Sequence, residues 1–141
     1  DHVANQLKLK LDGEDVWGAL AGFPGIGTVL PILLNDGVNQ NKITLEQFVS
    51  FTSTNAAKIF GMYPQKGTLE KNSDADITMI DLKKEKKVTS ELFGGFSDYI
   101  VYEGRNLKGW PVKTIVRGEV VADNFEVIGK LGHGKLVERK I

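Results

Sequence analysis

The sequence predicts an α+β arrangement in which helices precede a β-rich half, and three observations carry that expectation. A capping-box pattern, Thr44-Leu45-Glu46-Gln47, opens a stretch with helical apolar spacing that stops at Gly61. Beyond Gly61 the period changes, and residues 75–82 form a β-branched, apolar run short enough for a strand. Residues 112–116 and Val120-Val121 then flank Arg117-Gly118 as the arms of a tight hairpin would.

Taken in order, the chain starts with a weak alternation, Leu7, Leu9 and Leu11 against Lys8 and Lys10. Closely spaced glycines follow, at positions 13, 18, 22, 25 and 27, which reads as a long loop that turns sharply or approaches a ligand. TVLPILLNDGV, from Thr28, is apolar on most sides and reads as a short buried helix. Pro31 is tolerated in its first turn, and Gly37 suits its end. In the capping box the Thr44 hydroxyl accepts from the Gln47 N–H while the Gln47 amide reaches back. Leu45, Phe48, Val49 and Thr52 continue that helix, and Ser53 or Thr54 is expected to cap a further one through Ala56, Ala57, Ile59 and Phe60 to Gly61. Lys66-Gly67 and Asn72-Ser73-Asp74 supply turns before the first strand. The basic cluster at 83–87 contains an acid, Glu85, and reads as a solvated turn. Three or four strands leave edges open and one face short of cover, so the sheet is expected to be completed by chain outside this sequence.

Composition removes several classes of function. Lysine plus arginine equals aspartate plus glutamate at 18 each, which leaves no overall field for nucleic acid or an anionic membrane. No run approaches the ~20 apolar residues that span a bilayer. With no cysteine, disulfides and thiolate metal sites are excluded, and a cytoplasmic setting is expected. At 41% hydrophobic and 26% charged residues, the 141-residue chain has the composition of one folded domain.

Asp1 and His2 are the one adjacent acid–imidazole pair, and the other histidine is His133. A catalytic zinc needs about three protein ligands. On an extended strand Asp1 and His2 point to opposite faces, so at most one of them aims into a given site. His133, between Gly132 and Gly134, reads as a surface or interface loop residue. The glycine loop at 21–27 has no strand leading plainly into it and no Lys-Ser/Thr after it, so phosphate cradling is weak, while backbone contact to a small polar ligand is open. Trp110, Tyr99 and Tyr102 read as packing aromatics.

The order of these pieces resembles a known family. Asp1-His2, the Gly22-Phe23-Pro24-Gly25-Ile26 loop, LPILLNDGV, NAAKIFG at 55–61, Lys66-Gly67-Thr68-Leu69 with Asp74-Ala75-Asp76, Tyr102-Glu103-Gly104, Gly109-Trp110-Pro111 and Gly132-His133-Gly134 together are similar to the C-terminal third of the cyclic amidohydrolases. Within them the chain looks most like dihydropyrimidinases and hydantoinases, and less like allantoinases and dihydroorotases. The resemblance implies the C-terminal end of an α/β fold, a (β/α)₈ metal-dependent hydrolase barrel, followed by part of a small β-sandwich. Residues 1–62 would hold the end of the last strand, a loop and the final helices. Residues 63–122 would hold sandwich strands, and 123–141 a tail in contact with a neighbouring protomer.

The same resemblance implies two divalent metal ions, zinc by preference, and a small cyclic amide or ureide as substrate. It also implies a homo-oligomer, dimer or tetramer, with neither nucleic acid nor membrane as a partner. Asp1 matches the aspartate that closes the eighth strand, binds metal and shuttles a proton between the attacking metal-bound hydroxide and the leaving nitrogen. Ala21 and Gly22 match the segment whose backbone meets the substrate's cyclic amide. The sequence departs from the dihydropyrimidinase pattern at Ala21, usually Asn, at Gly27, usually an acid, and at Ala4, usually Pro. The remaining metal ligands would lie upstream of Asp1, so the 141 residues alone are expected to bind no metal and to be inactive. A non-catalytic relative that serves in assembly is the alternative, and the upstream histidines and lysine would discriminate the two.

Overall fold

The computed structural model describes residues 1–13 and 15–139; the last two residues of the tail expected at 123–141 lie outside them. An extended segment at residues 1–3 leads into a single helical turn, α1 (Leu7–Lys10), where only a loop was expected. The next helical stretch begins as a 3₁₀ turn (Ile26–Thr28), continues as α2 (Val29–Ile32) and widens into π-helical turns (Leu33–Val38). Gly37, which the sequence suggests as its end, does not end it: the helix runs through Gly37, and the left-handed residue of the exit is Asn41, at φ 57°. A Cβ at Gly37 would lie 3.0 Å from Ile43 Cδ1, so a bare α-carbon suits the return of the chain across the helix end.

The capping box is present in both directions, Gln47 N–H to Thr44 Oγ1 at 3.2 Å and Thr44 N–H to Gln47 Oε1 at 2.8 Å. The helix it starts, α3 (Leu45–Val49), does not stop for a second cap. It passes through π-helical turns (Ser50–Thr54) into α4 (Asn55–Ile59) without leaving helical dihedrals. The hydroxyls that suggested a break bond elsewhere: Thr52 donates to the Phe48 carbonyl at 2.8 Å and Thr54 to the Gly67 carbonyl at 2.8 Å. A serine or threonine inside a helix that finds such acceptors has no need to cap. Gly61, at φ 67°, does end this helix as expected.

The second half is a four-stranded antiparallel sheet in sequential order, β1 (Ile77–Lys87), β2 (Asn106–Val116), β3 (Glu119–Asp123) and β4 (Glu126–Val127). Lys83 to Lys87, expected as a turn, belong to β1. Asp81 Oδ1 accepts from the Lys83 and Lys84 N–H groups and makes an irregularity, after which pairing resumes from Glu85 opposite Lys108. The lysine stems have a reason to stay, because the Lys84 and Lys86 ammonium groups lie 5.6 and 4.0 Å from the centre of the Phe125 ring. The hairpin at Arg117-Gly118 forms with both residues at positive φ, 47° and 82°, as a two-residue I′ turn requires. Asn124-Phe125, at φ 46° and 75°, makes a second such turn between β3 and β4.

The core joins the two halves. Trp110, Leu107, Val88 and Ile100 are buried, with Ile32, Phe93, Tyr102 and Phe125 packed against them. Trp110 is fully buried, its indole N–H donates to the Leu107 carbonyl at 2.7 Å, and Phe125 meets its ring edge-on at 5.7 Å. Gly109, at φ 97°, lets the helix reach β2, since a Cβ there would fall 2.8 Å from Leu34 Cβ. Polar ties reinforce this junction: Lys108 N–H donates to Asn35 Oδ1 at 2.9 Å, and Arg105 grips Asp36 at 2.9 and 3.0 Å. The Asn35 amide first, and then Arg105, hold the Asp36 carboxyl below the usual carboxylate range.

Candidate active site

Asp1 and His2 sit on an extended segment that pairs in parallel with Phe23. Val3 N–H donates to the Phe23 carbonyl at 3.2 Å, and Phe23 N–H to the Asp1 carbonyl at 3.2 Å. Asn5, buried behind this segment, anchors it further: its carbonyl accepts from the Ser97 hydroxyl at 2.9 Å and its side-chain oxygen from the Tyr99 hydroxyl at 3.3 Å. Asp98 adds a bond from the Leu7 N–H at 2.8 Å.

The segment opens onto a cavity of about 440 Å³. Asp1, His2, Phe23, Ile26, Val29 and Tyr102 are among its lining residues. Its volume lies in the range of small-molecule sites, and most of its wall is apolar, with Asp1, His2, Thr28 and Tyr102 as its polar members. Both members of the Asp1-His2 pair border this cavity, although an extended strand was expected to send one of them away. They reach it differently. His2, although exposed, accepts at Nδ1 from the Gly25 and Ile26 N–H groups at 3.1 and 3.3 Å, whereas Asp1, also exposed, is held through its backbone carbonyl, which accepts from the Phe23 N–H. Sequence reasoning gave His2 no role, because a bond between residues 23 positions apart leaves no local signal.

Gly22 backs the Asp1 segment. At φ 70° it takes a conformation that L side chains rarely adopt, and a Cβ there would lie 2.4 Å from Val3 Cγ2 and 3.2 Å from the Asp1 carbonyl oxygen. Ala21 is exposed beside it, and neither residue is among those that line the cavity, which this loop enters at Phe23. Lys10 braces this loop through its ammonium group, which donates to the Leu20 carbonyl and, at 2.9 Å, to that of Gly22. Gly27, one of the departures from the family pattern, has a packing reason: a Cβ would fall 2.3 Å from the Phe93 ring. His133 is not among the residues that line this cavity; its Nε2 lies 3.1 Å from the Val116 carbonyl and its Nδ1 3.5 Å from Glu119.

A catalytic metal centre needs about three donors. Among the described residues no group of three or more His, Asp or Glu side chains is placed to hold a metal ion. With Nδ1 of His2 engaged by two N–H donors, Asp1 is the one carboxylate among the residues that line the cavity, a single donor where such a centre needs about three. Among the described residues no helix is long and apolar enough to cross a membrane.

A family model described as the amidohydrolase family matches residues 27–121. The chain belongs to the amidohydrolase family. Among amidohydrolases it is 41% identical over 141 residues to the L-hydantoinase of Paenarthrobacter aurescens, a match covering 99% of this chain and 31% of that protein. It superposes on the crystal structure of the dihydropyrimidinase from Brevibacillus agri with a TM-score of 0.93 at 37% identity, covering 99% of this chain and 31% of the other. A dihydroorotase of Methanosphaera stadtmanae is 39% identical over 127 residues, 90% of this chain and 29% of that one. This amidohydrolase chain therefore spans about a third of the length of the relatives it matches, and its likeness runs to proteins named hydantoinase and dihydropyrimidinase.

Proposed function

We propose that the chain supplies part of the active site of a hydrolase that opens cyclic amide rings of the hydantoin or dihydropyrimidine type. The observation that carries the reading is the position of Asp1, an exposed carboxylate at the rim of a largely apolar cavity of about 440 Å³. The hydantoinase relatives supply the chemical context. Asp1 would contribute one ligand to a pair of divalent metal ions, zinc by preference, which lower the pKa of water and polarise a ring carbonyl when bound. The other ligands would come from residues outside this chain, so the 141 residues alone are proposed to be inactive.

Asp1 then holds the proton taken from water and hands it to the ring nitrogen as the carbon–nitrogen bond breaks. The backbone of Ala21 and Gly22 would meet the cyclic amide from just outside the lining, which this loop enters at the next residue, Phe23. Phe23, Ile26, Val29 and Ile32 form an apolar wall that suits a neutral ring with a hydrophobic substituent. That wall favours a hydantoin-like ring over the carboxylated ring of a dihydroorotase, the second reading that the relatives support.

In the proposed whole protein, residues 1–62 close the barrel, 63–122 belong to the sandwich, and 123–141, after β4 has closed the sheet at its start, touch a neighbouring protomer of a dimer or tetramer. Exposed Leu131 and Leu136 in that tail support the contact. The cysteine-free composition supports a cytoplasmic setting. The deciding experiment is Asp1→Asn in the full-length protein. Hydantoin ring opening is expected to fall by roughly 10²–10⁴-fold with the thermal midpoint unchanged; retained turnover would refute the assignment. A protein that turns over no cyclic amide before substitution would instead be the non-catalytic, assembly relative.

A further inference from the structure

His2 neighbours the residue proposed to act in catalysis, yet its ring serves a different task. A ring nitrogen that receives two N–H donors carries no proton of its own, so Nδ1 is the bare nitrogen and the proton of the neutral ring is on Nε2. Gly25 and Ile26 open the helical stretch that continues to Val38, and the first N–H groups of a helix have no partner within it. No side chain of the stretch itself caps it. His2 meets two of those donors from 23 and 24 positions away.

The tie falls where the backbone pairing stops. The parallel bridge fixes Phe23 to the Asp1 segment, but from Gly25 onward the nearby bonds are local, Thr28 N–H and hydroxyl both donating to the Gly25 carbonyl at 3.0 and 2.6 Å. His2 thus extends the tie between the strand that carries Asp1 and the wall past Phe23, to Gly25 and Ile26. His2, Gly25 and Ile26 also line a second cavity, of about 180 Å³, with Ala4, Phe93 and Tyr99 beyond them, so the three residues form the partition between the two spaces.

We propose that His2 is a positioning residue: its Nδ1 pins the Gly25 and Ile26 N–H groups and so sets the spacing between Asp1 and the apolar wall of Ile26 and Val29, where a ring substituent packs. The inference rests on the reading of this cavity as the substrate site. It predicts that losing the acceptor loosens the wall and weakens recognition of the substituent, while the chemistry at Asp1 is less affected.

The test uses the full-length protein and two variants. His2→Phe keeps a ring but removes the acceptor; His2→Asn restores one, because its side-chain oxygen branches from Cγ as Nδ1 does. Amide exchange at Gly25 and Ile26, measured without substrate, is expected to quicken by about tenfold in H2F, the loss of a hydrogen bond or two, and to return towards the native rate in H2N. KM for a 5-substituted hydantoin is expected to rise by about tenfold in H2F with a smaller change in kcat, and H2N is expected to reverse it. Native exchange rates in H2F, or an H2N that stays as fast as H2F with an unchanged thermal midpoint, would overturn the anchor. Faster exchange with native KM would overturn its link to the substrate. Failure of the substrate-site reading shows separately, as turnover that survives Asp1→Asn.

Discussion

The two ends of this chain are held in different ways. The sheet is tied by continuous backbone ladders, β1 on β2 and β2 on β3, and closed by a fully buried Trp110. The segment around Asp1 is tied by discrete bonds instead of a ladder: two backbone bonds to Phe23, two N–H bonds to the His2 ring, the Asn5 bonds to Ser97 and Tyr99, the Leu7 N–H on Asp98 and the reach of Lys10 to the loop carbonyls. The ladder region carries stability, and the lightly tied region carries the candidate chemistry, where small shifts matter to a reacting group more than to the fold. Low local stability is what binding and catalytic segments commonly show.

The comparison can be broken most forcefully at Trp110. Trp110→Ala removes the largest buried side chain and leaves the Leu107 carbonyl without its donor, so denaturant unfolding is expected to register a loss of about 3–5 kcal/mol. A loss below that of the next substitution would mean that the core does not lie where the packing places it. Gly22→Ala strikes the other region. It forces a left-handed backbone on alanine against Val3, at a cost of about 1–3 kcal/mol. Its signature is local: the Val3 and Phe23 amides exchange faster while amides in β2 keep their native protection.

Thr44→Ala sharpens the comparison in a third place. It deletes one arm of the capping box and is expected to cost about 1 kcal/mol, read as a lowered thermal midpoint. The smallest effect is expected in acid. The hydrogen bond from Lys66, helped by Gln65, lowers the Asp74 pKa; burial would raise that of Asp76, but Lys66 and the Arg117 N–H outweigh it and lower it too. A carboxyl with a lowered folded-state pKa contributes stability that is complete above the ordinary carboxylate range and is lost as pH falls through the lowered value. Lys66→Met should therefore shrink the difference in thermal midpoint between neutral pH and an acidic pH below the ordinary carboxylate range. A variant with the native acid dependence would show that the pair adds nothing.

Local features of the fold were legible because they are written in neighbouring residues. Thr44 and Gln47 announce a helix start, and Arg117-Gly118 a turn, since the atoms that bond are three residues apart or fewer. Residues 83–87 misled for the same reason: charge within the cluster says turn, while Phe125, which holds two of the lysines in a strand, lies far along the chain. Ser53 and Thr54 misled as caps because Gly67, the acceptor for Thr54, is not visible from the helix alone. Of the candidate site, Asp1 was legible only through the resemblance, and His2 was passed over.

By itself the sequence determined the helical and β-rich halves, the ends of several elements, the packing role of Trp110 and the family. Each depends on short-range backbone preferences, or on a pattern of residues that survives without knowing where they meet. The tertiary structure alone decided that Asp1 and His2 share one cavity, that His2 spends its ring on the Gly25 and Ile26 N–H groups, and that positions 22 and 109 call for glycine while position 27 packs against Phe93. Those outcomes depend on contacts between segments distant in sequence, where a single approach of less than 3 Å to a Cβ that is not there settles which residue can stand.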